Sequence, residues 1–123
     1  MITYEQFAQI EIKAGKILSA EKIEGSEKLL KLMVDFGLKP TREEAEAGSP
    51  ELRDTRQIIS GIAKYFPDAQ TIVGKTAMFV TNLEPRTIFG HESNGMLFAV
   101  STPEGAFSLL EPNETIPAGT RAK

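Results

Sequence analysis

Residues 82–96, which read NLEPRTIFGHESNGM, hold the side chains whose types and spacing are best suited to binding chemistry. Arg86 carries a guanidinium, which can hold a phosphate through two parallel hydrogen bonds and can stack on an unpaired base. Asn82 can both donate to and accept from a base edge, and Ser93 adds a hydroxyl. Pro85 restricts the backbone just before Arg86 and so helps to fix its direction. The segment lacks a nucleophile paired with a base, so its chemistry is binding rather than catalysis.

Purely structural interpretations of the two most polar positions remain open at this point. Arg86 can be a solvated arginine that pairs with Glu84 or Glu92. Asn82 can be a turn residue that bonds its own chain, as asparagine often does at the end of a strand. The two roles are compatible for Asn82, because a carboxamide has both a donor and an acceptor.

Ser93, Gly95 and Met96 complete the candidate site at the end of the same segment. Glycine lets a ligand approach the backbone closely, so the Ser93 hydroxyl and the neighbouring amides are expected to face a phosphate or a base. The structural alternative for Ser93 and Gly95 is turn chemistry. Met96 can pack against an exposed base, although a methionine that begins a strand is more often part of the core.

Catalytic and metal sites are not indicated. His91 is the only histidine and the chain has no cysteine, so a transition-metal site would need several carboxylates beside His91, and no such spacing occurs. Ser93 lies two residues from His91, but no nucleophile elbow or oxyanion hole is recognisable around them. Glycine-rich phosphate loops are also missing. The sequence therefore predicts no catalytic residue, no metal and no cofactor.

Short strands and turns must position the candidate site. Apolar strands at 76–81 and 96–100 bracket it and would anchor it at both ends. A capping box at Thr3 and Gln6 predicts a short helix over residues 4–9 that buries Phe7. Further strands are expected at 10–23, with a bulge or bend at Gly15, at 30–36 and at 57–62, with a helical turn at 63–66 and a last extended stretch at 106–110. Frequent turns and little helix favour a small β-barrel or sandwich.

The segment 39–55 is rich in charge, proline and glycine and has no sustained apolar period. We interpret it as an acidic loop insertion with one helical turn at 42–47. Five acids and two arginines lie between Arg42 and Asp54, whereas the rest of the chain is neutral overall. Acidic loops repel RNA, so a solvated insertion is the favoured interpretation.

The length, composition and net charge of the chain limit the classes of protein to which it can belong. A chain of 123 residues with 41% hydrophobic residues is expected to form one globular domain, residues 1–123. The net charge of −3 argues against a protein that coats nucleic acid generally. The sequence has no apolar run long enough for a membrane span and no secretory signal, and it has no cysteine. Cytoplasmic localisation without membrane contact is therefore expected.

Several spaced motifs carry a family resemblance over nearly the whole chain, except at roughly 39–55. They are N-L-x-P-R at 82–86 with G-x-x-S-x-G-M at 90–96, Phe7 with IKAGKI at 12–17, EKLLKL at 27–32 and QIISGIA at 57–63. The chain resembles the tRNA-binding domain found at the C-terminus of many methionyl-tRNA synthetases and in free-standing dimeric tRNA-binding proteins. Motifs in this order are far more specific than any one of them alone.

The resemblance implies an all-β fold: a five-stranded Greek-key oligonucleotide-binding (OB) barrel with a short N-terminal helix, a helical turn between strands 3 and 4, and a C-terminal extension. It implies non-catalytic, structure-directed binding of tRNA by a homodimer that is either free-standing or associated with a methionyl-tRNA synthetase. It also implies that Lys28, Lys31 and Lys64 form a basic rim near Arg86. Phe89 and Tyr65 are candidate base-stacking rings, with core packing as the alternative for Tyr65, and Phe98 is expected in the core.

Two other functions remain open. A branch of the same fold resembles secretion chaperones that bind polypeptide, and the net acidity fits it. The second is that of the dimerisation domain of a methionyl-tRNA synthetase, although the initial methionine of the chain favours a free-standing protein. The chain departs from the family at Glu24-Gly25-Ser26-Glu27, where a proline and an acidic turn are usual, and in its longer acidic insertion.

Overall fold

The computed structural model describes residues 1–38 and 53–123 of the chain. The predicted helical turn at 42–47, and the predicted acidic insertion up to residue 52, lie outside the described residues. One short α-helix, two 3-10 helices and nine strands occur in the described part. In chain order they are α1 (Tyr4–Phe7), β1 (Ile12–Lys22), β2 (Leu30–Leu38), β3 (Arg53–Ser60), the 3-10 helices Ala63–Tyr65 and Ala69–Ile72, β4 (Thr76–Val80), β5 (Arg86–Ile88), β6 (His91–Ser93), β7 (Met96–Leu97), β8 (Ala99–Ser101) and β9 (Phe107–Leu109).

A curled antiparallel sheet of five strands forms the body, in the order β3-β2-β1-β4-β7. Alternate side chains of these strands point inward, so the period-two patterns of the sequence fill one core. Phe79 and Phe36 meet edge to face in it, with ring centroids 5.5 Å apart. The most deeply buried aliphatic side chains around them are Ile17, Leu30, Leu32, Val34, Ile58 and Ile72. The expected all-β barrel-like fold with small helices is confirmed.

Strand β3 begins earlier than the sequence predicted. It starts at Arg53, which pairs with Leu38 of β2, so residues 53–55 belong to a strand and not to the loop. An ion pair fixes this start, because the Arg53 guanidinium donates to both carboxylate oxygens of Asp35, the closest at 2.7 Å. The charged composition of residues 53–55 is typical of a loop, and for that reason the sequence did not predict this part of β3.

The predicted strand 96–100 is wrong as a single element. Met96 and Leu97 pair with β4, whereas residues 99–101 pair with β9 in a separate two-stranded ribbon. Phe98 lies between the two pairings and is 40% exposed, so its expected place in the core is also wrong. An apolar run of this length is too short for its periodicity to show which side chains face inward.

Helix α1 has the predicted capping box, since the Thr3 hydroxyl accepts from the Gln6 amide and the Gln6 side chain accepts from the Thr3 amide. It is shorter than predicted, and Phe7 is 47% exposed rather than buried. Gly15 causes no bulge, because the irregularity of β1 lies between Ile17 and Ser19. A side chain at Gly15 would instead collide with the core residues that fill its place.

The C-terminal extension docks against β1, which the sequence did not predict. The amides of Ala14, Gly119 and Ala122 bond to the carbonyls of Thr120, Ala14 and Ile12, at 2.8, 2.7 and 2.8 Å. The tail thus adds an irregular strand beside the first half of β1.

The second 3-10 helix, Ala69–Ile72, was not predicted; the Asp68 side chain caps it by accepting from the Gln70 amide at 3.0 Å. Among the described residues no helix is long and apolar enough to cross a membrane.

Candidate functional site

A β-hairpin forms most of the segment that was predicted as a polar loop. Strands β5 and β6 pair Arg86 with Ser93 and Ile88 with His91, and Phe89 and Gly90 make a two-residue turn. Both turn residues have positive φ, 53° and 81°, as a type I′ turn requires. A two-residue segment that contains a glycine, Phe89-Gly90, lies between two short stretches with β propensity. This pattern predicts a hairpin, and it was missed in the sequence.

The free edge of β3 anchors this hairpin to the body. The Asn94 amide donates to the Gln57 carbonyl at 2.8 Å, and the Gln57 side chain donates to the Glu92 carbonyl at 2.9 Å. The Ser93 hydroxyl accepts from the Ile59 amide at 3.0 Å and donates to the Gly95 carbonyl at 3.2 Å. Ser93 is only 3% exposed, and its hydroxyl joins the hairpin to β3. The hydroxyl is therefore buried away from a ligand at the surface.

Asn82 is engaged by the N-terminal segment. Its Oδ1 accepts from the Glu11 amide at 2.8 Å, and its Nδ2 donates to the Gln9 carbonyl at 2.5 Å. Both ends of the carboxamide are therefore used, as in the structural interpretation, but the partners are about 70 residues away rather than in a local turn. Asn82 ties the start of the hairpin segment to the chain that precedes β1.

Gly95 lies where two parts of the barrel approach each other closely. It has a φ of 137°, and a side chain there would meet Ile58 at 3.0 Å and the Val80 carbonyl at 3.2 Å. The space that a Cβ on Gly95 would occupy is thus filled by the protein, as the turn interpretation allows. Met96, the next residue, is 48% exposed at the start of β7 and remains accessible.

Arg86 is exposed at the first residue of β5. Neither Glu84 nor Glu92 forms an ion pair with it, and no other carboxylate of residues 1–38 and 53–123 lies within 4.0 Å of its guanidinium. Within the described residues, the Arg86 guanidinium at the base of the anchored hairpin therefore has hydrogen-bond donors that it can offer to an anion.

The three lysines of the predicted rim differ in their surroundings. The backbone segments that carry Lys28 and Lys64 are adjacent, because the Ala63 amide donates to the Lys28 carbonyl at 3.0 Å. Both side chains are exposed. Lys31 lies on β2 opposite Glu21, and its ammonium is 3.5 Å from the Glu21 carboxylate. Lys28 and Lys64 are consequently the stronger pair of cations, whereas part of the charge of Lys31 is offset.

The two candidate stacking rings also differ. The Tyr65 ring stacks on Phe107, with centroids 4.3 Å apart and ring planes at 12°, and the Lys64 ammonium lies 5.0 Å from its centroid. Tyr65 is therefore packed within the protein, as its structural alternative stated. Phe89 is 57% exposed at the tip of the hairpin.

The titratable groups with shifted pKa values are structural. A hydrogen bond from Thr81 lowers the pKa of Glu11, helped by Lys13 and opposed by partial burial. Burial raises the pKa of Asp35, but the hydrogen bonds from Arg53 and from the Gly37 amide outweigh it and the net shift is downward. In the described part of the chain, no three His, Asp or Glu side chains are grouped so that they could hold a metal ion.

Comparison with known proteins agrees with this architecture. The family model of the tRNA binding domain matches residues 12–121. The chain is 44% identical to the methionine–tRNA ligase of Methanoregula boonei and 32% identical to that of Enterococcus faecalis, over 100% and 96% of its length. It spans only 16% of each of these ligases.

Two solved structures show the same fold over the whole chain. A MetRS-related protein from Pyrococcus horikoshii superimposes with a TM-score of 0.82 at 32% identity, covering 100% of this chain and 98% of the other. The chaperone CsaA of Bacillus anthracis superimposes with a TM-score of 0.76 at 22% identity, covering 100% and 99%. The sheet, the anchored hairpin and these matches lead to one conclusion: the chain belongs to the tRNA-binding domain family of the methionyl-tRNA synthetase C-terminal region and its free-standing relatives.

Proposed function

We propose that this chain binds tRNA without catalysing a reaction on it, and that it recognises the shape and backbone of the RNA. The observation that carries the proposal is Arg86, an exposed guanidinium without a carboxylate partner among the described residues, at the base of a hairpin anchored to β3. Phosphate contacts of this kind position RNA without reading its sequence.

The proposed contact surface is smaller than the sequence suggested. It contains Arg86 and Met96, together with Lys28 and Lys64, whose backbone segments are adjacent, and Lys31 contributes less because of Glu21. Asn82, Ser93 and Gly95 support it through contacts with other parts of the protein. With so few cations and a net charge of −3, binding should be modest and should weaken quickly with salt.

The proposal extends to a non-catalytic protein in the cytoplasm, where tRNA is used. The synthetases that match are six times as long, so their catalytic activity need not reside in this part. Whether the chain acts alone, beside a methionyl-tRNA synthetase or as its dimerisation domain depends on the gene that encodes it, and the tRNA-binding role is common to all three cases.

A homodimer is also proposed, on the basis of an apolar groove at the N-terminus. The groove has a volume of about 400 Å³ and lies between α1, the start of β1 and the C-terminal tail. Tyr4 is 77%, Phe7 47% and Ile10 42% exposed beside it. A second copy that covers these side chains would remove apolar area from water, which is the main driving force of association. Light scattering of the chain and of the Phe7→Glu variant tests this, with Leu18→Glu as a control on another exposed apolar residue.

Polypeptide binding is the second candidate function, favoured by one observation. The chain has the fold of CsaA chaperones, and the exposed Val100 lines a cleft of about 230 Å³, two residues along the chain from the exposed Phe98. An apolar peptide in this cleft would bind with little dependence on salt, in contrast to RNA.

Titration with bulk tRNA at about 50 and 200 mM salt distinguishes the two candidates. For RNA binding, Arg86→Ala should weaken affinity by roughly 1–3 kcal/mol, the contribution of a charge-assisted hydrogen bond. Arg86→Lys should recover only part of it, because an ammonium lacks the planar fork. Lys75→Ala is the matched control. Lys75 lies just before the first residue of β4, whereas Arg86 follows the last, and the Lys75 ammonium pairs with Glu111. Equal affinity of the Arg86→Ala variant and the unmodified protein would contradict the assignment.

A further inference from the structure

The tip of the hairpin carries a bulky side chain in a conformation that such residues rarely adopt. Phe89 has a φ of 53°, and among the described residues it is the only non-glycine with a positive φ. Asparagine, aspartate or glycine would occupy this position of a type I′ turn with less strain. Strain of this kind is found where the side chain has a function. Phe89 also remains 57% exposed, so burial does not account for its presence.

A second turn of the chain supports the ring from one side. Gly25 lies in the turn between β1 and β2, with a φ of +87°, and a Cβ placed there would be 3.4 Å from Cε1 and 3.6 Å from Cζ of Phe89. The ring therefore rests against the turn at its outer edge. In the part of the chain that the structure describes, no other aromatic ring stacks on Phe89. One edge of the ring thus lies close to the Gly25 turn, and no aromatic ring of the described residues covers its faces.

The charges around the tip determine which part of a nucleotide could be bound there. Glu24 and Glu27 flank the Gly25 turn, and Glu92 lies on β6, and all three are exposed. A phosphate would be repelled by these carboxylates. A base is uncharged and offers a π-face to an aromatic ring. Arg86 begins β5 and lies three residues before Phe89, so roughly 10 Å of backbone at most separates them, a span that one RNA strand can cover with a phosphate at one end and a base at the other.

We propose that Phe89 is the platform on which one unpaired base of the RNA stacks while Arg86 holds a neighbouring phosphate. The inference rests on the proposed function and deepens it, because it specifies a nucleotide unstacked from the body of the RNA rather than a duplex surface. Bases inside a duplex are already stacked on both faces and are not accessible to a side chain at a hairpin tip.

Substitutions at position 89 separate stacking from folding. Phe89→Asn removes the ring and suits the left-handed turn, so the variant should fold with little change in melting temperature. Its affinity for tRNA should fall roughly 5- to 150-fold, the range for the loss of one aromatic platform. Phe89→Leu, which keeps an apolar side chain, should fall similarly, and Phe89→Tyr should stay close to the unmodified protein. Leu18→Asn is the control, since it makes an apolar-to-asparagine exchange at an exposed residue of β1, outside the hairpin.

A single-stranded RNA of about eight nucleotides containing 2-aminopurine, and the same strand in a duplex, provide a direct readout. Stacking on Phe89 should quench the fluorescence of the single strand, and the Phe89→Asn variant should abolish the quenching. If Phe89→Asn binds tRNA as tightly as the unmodified protein while Arg86→Ala does not, the platform is refuted and the proposed function stands. If the unmodified protein binds no tRNA at low salt, both are refuted.

Discussion

Replacing Gly119 with alanine should detach the C-terminal tail from the sheet. Gly119 has a φ of +94° and faces Gly37, whose φ is +82°. A side chain at Gly119 would collide with the carbonyl oxygen of Phe36, and one at Gly37 would lie 2.8 Å from the carbonyl oxygen of Ala118. Two glycines thus let the backbones of the tail and of β2 approach, and a Cβ on either would force them apart.

The magnitude follows from the contacts that docking provides. Three backbone hydrogen bonds join the tail to the first half of β1. Each contributes roughly 0.5–1.5 kcal/mol net, so loss of all three would cost roughly 1.5–4.5 kcal/mol. A left-handed alanine adds about 1–2 kcal/mol of backbone strain wherever it occurs.

Gly105→Ala is the control that isolates the collision. Gly105 has a φ of +99° in the turn between β8 and β9, and nothing lies within 4 Å of a Cβ placed there. It should therefore suffer the strain alone. Unfolding in urea should show Gly119→Ala to be less stable than Gly105→Ala by roughly 1.5–4.5 kcal/mol.

Hydrogen exchange locates the change in the chain. The amides of Ala14 and Ala122 donate to the tail and to β1, respectively, and should exchange faster in Gly119→Ala only. Equal stability of the two variants, with unchanged exchange at these amides, would refute the reasoning.

Three further predictions concern stability. Gly15→Ala should lower the free energy of unfolding in urea by about 1–3 kcal/mol, since its Cβ would lie 2.6 Å from core side chains. Gly61→Ala, whose Cβ would have nothing within 4 Å, should leave the free energy of unfolding unchanged or raise it slightly. Equal free energies of unfolding for the two variants would contradict this reasoning. Asn82→Ala should speed hydrogen exchange at the Glu11 amide and lower the free energy of unfolding by about 1–3 kcal/mol, because two backbone groups lose their partner. Unchanged exchange at the Glu11 amide would contradict the structural role of the Asn82 side chain. The folded-state pKa values of Asp35 and Glu11 are lowered from their ordinary values, so the stabilisation from these groups is complete at neutral pH and is lost as the pH falls through the lowered values. Urea midpoints that stay constant from neutral pH into the acid range would oppose it.

The sequence was most informative where its pattern was local. Alternation along β1 and β2 identified both strands, because a strand that buries one face must alternate. The capping box placed the start of α1, since its two hydrogen bonds span only three residues. The spaced motifs identified the family and hence the curled, barrel-like sheet, and they pointed to Arg86, which is exposed at the start of β5.

Only the tertiary structure decided which polar groups remain free to act. Asn82 and Ser93 look like ligand-binding residues in the sequence, but distant segments use their side chains, Glu11 and Gln9 for the first and Ile59 for the second. A polar side chain has the same sequence signature whether it meets a ligand or satisfies a backbone group from another strand. The same argument holds for apolar side chains, whose hydrophobicity does not reveal which face of the fold they will occupy: Phe98 and Phe7 are exposed although both looked suited to the core. Many residues separate these partners in the sequence, so a local pattern does not predict their contacts. Only the folded sheet brings the partners together.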